Sequence, residues 1–125
     1  MITELCLTDF FEVISNGGAI SDLELLRALL SQIVTAVAAT HYSGLCHLDI
    51  KLENVLVAKD CSLRLCDYGF ARPADKLIEV QVGTYGYMAP EVVRGERFDG
   101  KKSDIFNLGV LLFIIAFGRP PFANA

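Results

Sequence analysis

The chain has 125 residues, 53% of them hydrophobic and 21% charged, with ten glycines, four prolines and no low-complexity tract. That is the profile of one globular domain piece spanning residues 1–125, and it excludes collagen, coiled coil and a disordered tail. The formal charge of −4 comes from 15 acidic and 11 basic residues scattered evenly, which leaves no basic face for nucleic acid.

The longest unbroken apolar stretch runs only from Leu108 to Phe117, well short of the roughly 20 residues that cross a bilayer, so it reads as a buried core helix and no membrane partner is expected. The N-terminal residues Met1 to Phe11 carry no basic segment ahead of an apolar block and no small-residue cleavage site, so the expected location is intracellular, in the cytoplasm. Cysteines 6, 46, 61 and 66 form no Cys-x-x-Cys, and His41 and His47 lack ligand spacing. Reduced, mostly buried thiols are the expectation.

In chain order, Ile2 to Cys6 reads as a short strand and Asp9 to Ile14 as a short helix before the turn Ser15-Asn16-Gly17-Gly18. Ser21 and Glu24 stand at capping-box spacing, which predicts a long helix from Asp22. Leu26, Leu29, Leu30, Ile33, Val34 and Val37 form its apolar stripe, running to about His41 with Gly44 as the stop. Val55 to Val57 and Leu63 to Cys66, separated by Ala58 to Ser62, predict a small β-hairpin. Residues 69–87 have no sustained period and predict a long ordered loop of the functional kind. A second helix is expected from about Ser103 to Phe117, ended by Gly118-Arg119-Pro120-Pro121.

Asp49, Lys51, Asn54 and, past the hairpin, Asp67 lie close together in the least helical part of the chain. Any one alone would be a solvated turn residue. Together they suit one chemistry. Asp49 can meet a hydroxyl proton, while Asn54 and Asp67 offer hard oxygens to Mg²⁺. Lys51 supplies positive charge where a transferred phosphoryl group spreads its negative charge. The set reads as phosphoryl transfer.

The segment His47-Leu48-Asp49-Ile50-Lys51-Leu52-Glu53-Asn54 resembles the protein-kinase catalytic loop, and Asp67-Tyr68-Gly69 resembles its metal-binding motif. Further on, Gly83 to Glu91, ending in Ala-Pro-Glu, resembles the substrate-docking segment, and Ser103 to Gly109 the start of the central buried helix. Four motifs in this order are very hard to obtain by chance. The resemblance implies a protein-kinase-like α+β fold, here the mainly helical C-terminal lobe with a small hairpin, entered through a hinge at Met1 to Cys6. It implies transfer of phosphate from ATP, with Mg²⁺, to protein substrates.

By the same resemblance Asp49 is the catalytic base, Lys51 the phosphate contact, and Asn54 and Asp67 the metal ligands. Glu4 and Cys6 offer backbone groups to adenine, Leu56 lies beneath the ring, and Thr3 gates the pocket. Glu53 and Thr84 face the substrate. His47 and Glu91 are structural, and Asp104 braces the catalytic-loop backbone. Lys51 together with Gly83-Thr84 resembles the serine/threonine branch.

Three departures from the family pattern matter. Leu48 stands where regulated kinases carry Arg, and residues 70–82 contain no Ser, Thr or Tyr to be phosphorylated; each absence removes the use of the other. Tyr68 replaces the usual Phe, and as a buried phenol it needs a partner for its hydroxyl, with the packing function kept. No glycine-rich loop occurs in the 125 residues, and the resemblance starts at the hinge and stops after the central helix, so the N-terminal lobe and the last helices are expected to lie outside this piece. A central helix as apolar as Ile105 to Phe117 then lacks cover. The isolated piece is therefore expected to be inactive, and the rival reading is a catalytically inactive kinase-derived fragment or pseudokinase that acts as a protein-binding module. Cys66, beside Asp67, reads as an inert half-buried thiol.

Overall fold

In the computed structural model of the chain, residues 5–122 are described. The expected strand at Ile2 to Cys6 falls mostly outside them, as do Thr3 and Glu4; Leu5 and Cys6 are not in a strand. Among the described residues the first strand is β1, Thr8–Asp9, which runs antiparallel to β3 with Thr8 opposite Val57 and Asp9 opposite Leu56.

Helix α1 spans Phe10–Gly17 and is longer than expected. The Asp9 carboxylate accepts from the Glu12 amide at 2.9 Å, and Gly18, at φ +73°, closes the other end. Ser15, Asn16 and Gly17 are therefore helical, because the chain needs its left-handed residue only at Gly18. The long helix α2 covers Leu23–Tyr42. Its cap is not the Ser21–Glu24 box but Asp22, whose carboxylate accepts from the amides of Glu24 at 3.0 Å and Leu25 at 3.1 Å. A carboxylate one residue nearer the first turn also suits the positive helix end, so it displaces the serine. By length and composition α2 could cross a membrane, yet Ile33, Val37 and Thr40 bury one face of it against β4 and α4.

β2, Leu45–Cys46, pairs antiparallel with β5, Arg72–Pro73. The predicted hairpin is present as β3, Val55–Val57, and β4, Leu63–Leu65, with Val55 opposite Leu65. Cys66 lies just past β4, and its amide donates to the Asn54 carbonyl at 2.9 Å. The three-stranded order is β1-β3-β4. The expected loop 69–87 is irregular apart from β5, and Ile78 forms a two-bond antiparallel bridge to Phe98.

Two elements depart from expectation in the last third. A one-turn helix α3, Pro90–Val93, was not foreseen, since four residues give no periodicity to read. Helix α4 spans Gly100–Phe117 and starts three residues early, because the Asp99 side chain accepts from the amides of Lys101 and Lys102 at 2.9 and 3.2 Å. Gly100 is not a weak start but a required one. A Cβ there would overlap Cys46 Sγ and come within 2.8 Å of Ile78 Cδ1.

The main core joins Phe10, Ile14, Ile33, Val37, Ile50, Leu111 and Ile115 across α1, α2, the segment between β2 and β3, and α4. A second cluster gathers Cys46, Leu48, Ile78, Ala89, Val92 and Phe98. α4 is half covered, with Leu111 and Ile115 fully buried but Ile105 and Phe117 57% and 61% exposed. All four thiols are free; contrary to expectation only Cys46 is buried, and Cys61 at the hairpin turn is exposed.

Candidate functional site

Between β2 and the 3₁₀ turn at Leu52–Asn54, residues 47–51 form no regular element while Leu48 and Ile50 enter different cores, so their backbone polar groups need outside partners. Asp104, fully buried on the first turns of α4, supplies them. Its Oδ2 accepts from the His47 amide at 2.7 Å and its Oδ1 from the Leu48 amide at 2.8 Å. His41, at the end of α2, meets Oδ2 through Nε2 at 2.8 Å. This brace holds Leu48 at φ +72°, a left-handed conformation that a branched side chain rarely adopts.

His47 is fully buried and continues the scaffold. Its Nδ1 accepts from the Asp49 amide at 3.1 Å, which leaves Nε2 to donate to the Cys66 carbonyl at 2.8 Å. The two partners fix the tautomer. One imidazole thus ties Asp49 to the residue before Asp67.

Asp49 is 5% exposed and lies at the meeting point of the site. Asn54 Nδ2 donates to its carbonyl at 2.8 Å and to its Oδ2 at 3.3 Å. The Thr84 hydroxyl donates to Asp49 Oδ1 at 2.8 Å and accepts from Lys51 Nζ at 3.0 Å. Lys51 Nζ is itself 3.8 Å from Asp49 Oδ2. Gly83, at φ +121°, allows this approach, because a Cβ there would press on the Leu48 carbonyl at 3.1 Å. Thr84, 35 residues from Asp49 in the chain, therefore joins the local set Asp49 and Lys51, while Asn54 bonds Asp49 from within the same segment.

Asp67 reaches the same region through the hairpin and sits at φ +58°, its Oδ1 accepting from the Gly69 amide at 3.2 Å. It is exposed. Asn54 commits its amide nitrogen to Asp49, which leaves Oδ1 as the atom it can offer a cation. Among the described residues no three His, Cys, Asp or Glu side chains cluster as a metal cage. One amide and one carboxylate fit Mg²⁺, which usually keeps several waters and is completed by substrate phosphates.

The remaining expected positions are more peripheral. Leu56 is on β3 and half-buried. Cys6 is close enough to Cys66 to act on it: burial first, then the Asp67 carboxylate, Cys6 and Asp9 all push the Cys66 thiol up, so it stays protonated. Glu53 is exposed on the single 3₁₀ turn Leu52–Asn54. With Leu52, Thr84, Tyr85 and Tyr87 it lines an open groove of about 740 Å³. Glu91, in α3, has no side-chain hydrogen bond or ion pair among the described residues.

Three contributors were not foreseen from sequence. His41 joins the Asp104 brace. Tyr87 accepts from the Leu52 amide at 3.4 Å, and Asn107 Nδ2 donates to the Tyr87 carbonyl at 2.6 Å. Burial, with smaller effects from Glu53 and Asp49, pushes the Tyr87 phenol up to about 12. The only available signal was polarity inside apolar runs: Asn107 interrupts the helix stripe, and His41 stands on the inner face of α2. Tyr68 is 44% exposed, not buried as its motif position suggested; its ring stands edge-on to His47 at 4.7 Å.

A family model described as protein kinase domain matches residues 1–125. Serine/threonine-protein kinase kin-29 of Caenorhabditis briggsae is 33% identical over 127 residues, covering 99% of this chain and 16% of that protein. The Caenorhabditis elegans protein of the same name is 34% identical over 99% of this chain and 15% of its own length. Sperm motility kinase 2B of Mus musculus is 36% identical over 129 residues, covering 100% of this chain and 26% of that protein. The chain therefore spans about a sixth to a quarter of the curated relatives it matches.

Proposed function

The chain belongs to the protein kinase family, and from that premise we propose that residues 1–125 form the C-terminal-lobe part of a serine/threonine kinase that phosphorylates protein hydroxyls with ATP and Mg²⁺. The lobe assignment is supported by the dominance, among the described residues, of α2 and α4 over short β segments of two or three residues. One observation carries the reading: Thr84 bridges Lys51 and Asp49 while Asn54 holds the other side of Asp49.

The chemistry follows from that geometry. Thr84 occupies Asp49 Oδ1 as a close donor at 2.8 Å, whereas Oδ2 accepts only the longer 3.3 Å bond from Asn54 Nδ2 and keeps a lone pair to accept a substrate hydroxyl proton. Lys51, its side chain 21% exposed, is held near that edge without neutralising it in a tight pair. Its ammonium supplies positive charge where phosphoryl charge develops. Asn54 Oδ1 and the Asp67 carboxylate would hold Mg²⁺, which when bound neutralises the phosphates. The groove beside Glu53 and Thr84 would seat the substrate chain.

The test is phosphate transfer from labelled ATP with Mg²⁺ to a basic Ser/Thr-containing protein, using the full-length polypeptide that carries this segment. We expect incorporation on Ser and Thr that falls at least a thousandfold with Asp49→Asn, in line with loss of a general base and its positioning. Incorporation unaffected by that change, or none in the unaltered polypeptide, refutes the catalytic reading.

A further inference from the structure

Tyr68 lies between Asp67, which is left-handed, and Gly69, which is not, and its hydroxyl is 3.0 Å from Thr40 Oγ1 on the inner face of α2. Thr40 has a single hydroxyl proton, and that group also sits 3.0 Å from the Ala36 carbonyl of its own helix, which can only accept. The proton order is therefore Tyr68 to Thr40 to Ala36. Thr40 is 6% exposed and belongs to a 20-residue helix, so the anchor is rigid.

We propose that the Tyr68 hydroxyl and Thr40 act as a latch that pins the Asp67–Gly69 motif to α2 and so positions Asp67. A phenylalanine would keep the edge-on contact with His47 but would leave the segment no hydrogen bond to that helix. The need for an anchor is visible at Asp67. Aspartate tolerates φ +58° better than most non-glycine residues but still pays a cost there, and Asp67 is itself exposed, so its neighbours have to hold it in place. The latch constrains it from one side, and the His47 bond to the Cys66 carbonyl from the other. Tyr68 and Thr40 are thus positioning residues. Their relevance to metal binding rests on the kinase reading of Asp67; the latch itself does not.

The experiment is amide hydrogen exchange on the full chain, without metal or nucleotide. The reporters are Gly69, whose amide donates to Asp67 Oδ1, and Ala71, whose amide donates to the Tyr68 carbonyl at 3.0 Å. Ala58, bonded to Ser62 across the hairpin turn, is the control. Tyr68→Phe and Thr40→Val should each speed the reporters about three- to tenfold relative to Ala58, the loss of one net hydrogen bond. The double variant should exchange no faster than either single one, and Thr40→Ser, which keeps the hydroxyl, should return the rate toward that of the unaltered chain. Reporter rates unchanged in both single variants, equal acceleration at Ala58, additive effects, or no rescue by Thr40→Ser would each overturn the latch. Because exchange needs no catalysis, this failure is distinct from failure of the kinase reading, which the Asp49→Asn comparison registers.

Discussion

Replacing Asp104 by Asn tests the brace beneath the segment that carries His47, Leu48 and Asp49 with almost no change in volume. The carboxylate now accepts three donors: the amides of His47 and Leu48 and, at Oδ2, His41 Nε2. An amide keeps one oxygen, so whichever way it is turned its NH₂ faces at least one of the two backbone N–H groups. One buried donor is then unsatisfied, at about 1 to 3 kcal/mol, and the bonds that survive lose their charge assistance. The position is fully buried, so water cannot compensate. A total of about 2 to 4 kcal/mol follows, a large part of a typical stability of about 5 to 15. In a urea titration followed by circular dichroism, with a slope near 2 kcal/mol/M, the midpoint should fall by about 1 to 2 M. A change below about 0.5 kcal/mol, the scatter of ordinary surface substitutions, would refute the reasoning.

Gly100→Ala should destabilise by about 1 to 3 kcal/mol despite alanine's better helix propensity, since its Cβ meets Cys46 and Ile78. Adding Cys46→Ala should recover part of the loss, as thermal melts of the single and double variants would reveal. The Tyr87 phenol, raised by burial from 10.0 to about 12, contributes stability that is fully present below pH 10 and is lost as pH rises toward 12. Allowing for its partial exposure this amounts to about 1 to 2 kcal/mol, and Tyr87→Phe should flatten the difference between melts at pH 9 and pH 11.5. Phosphatase treatment of the full-length polypeptide, with residues 67–91 checked by mass spectrometry, should leave any phosphate-transfer rate within tenfold; a greater loss mapped to that segment would show a phosphate switch.

The sequence made the long elements legible because each carries a periodic stripe and a terminal signal. Leu26 to Val37 announced α2, and Gly118, left-handed in the structure at φ +73°, announced the end of α4. Its errors fell at starts, where neighbouring residues compete for one role. Ser21 and Asp22 both could cap α2, and only the three-dimensional approach of the first amides selects Asp22. Gly100 hid the start of α4, because glycine in a first turn counts against a helix until its neighbour Cys46 is known. Asp49, Lys51, Asn54 and Asp67 could be grouped from spacing, since a hairpin returns Asp67 toward Asn54. His41 could not, because its bond to Asp104 spans 63 residues and leaves no local trace.

Leu48 connects this local chemistry to how the segment after Asp67 is ordered. An arginine there would place a charge at a position 2% exposed, beside a segment with no hydroxyl to carry a phosphate, and an unpaired buried charge is strongly destabilising. Leucine instead joins Cys46, Ile78, Ala89, Val92 and Phe98, with Val82 and Met88 packed against them. The same Ile78 exchanges both backbone bonds with Phe98 at 2.8 and 3.0 Å, and Gln81 Nε2 donates to the carbonyls of Val92 and Val93 at 3.0 Å each. Apolar burial and backbone pairing thus act at the points where a charge pair would otherwise hold the segment. Burial of Leu48 and Ile78 alone is worth about 1.5 to 3 kcal/mol each, comparable to one or two charge-assisted hydrogen bonds. Unlike a phosphate, that stabilisation cannot be removed by an enzyme.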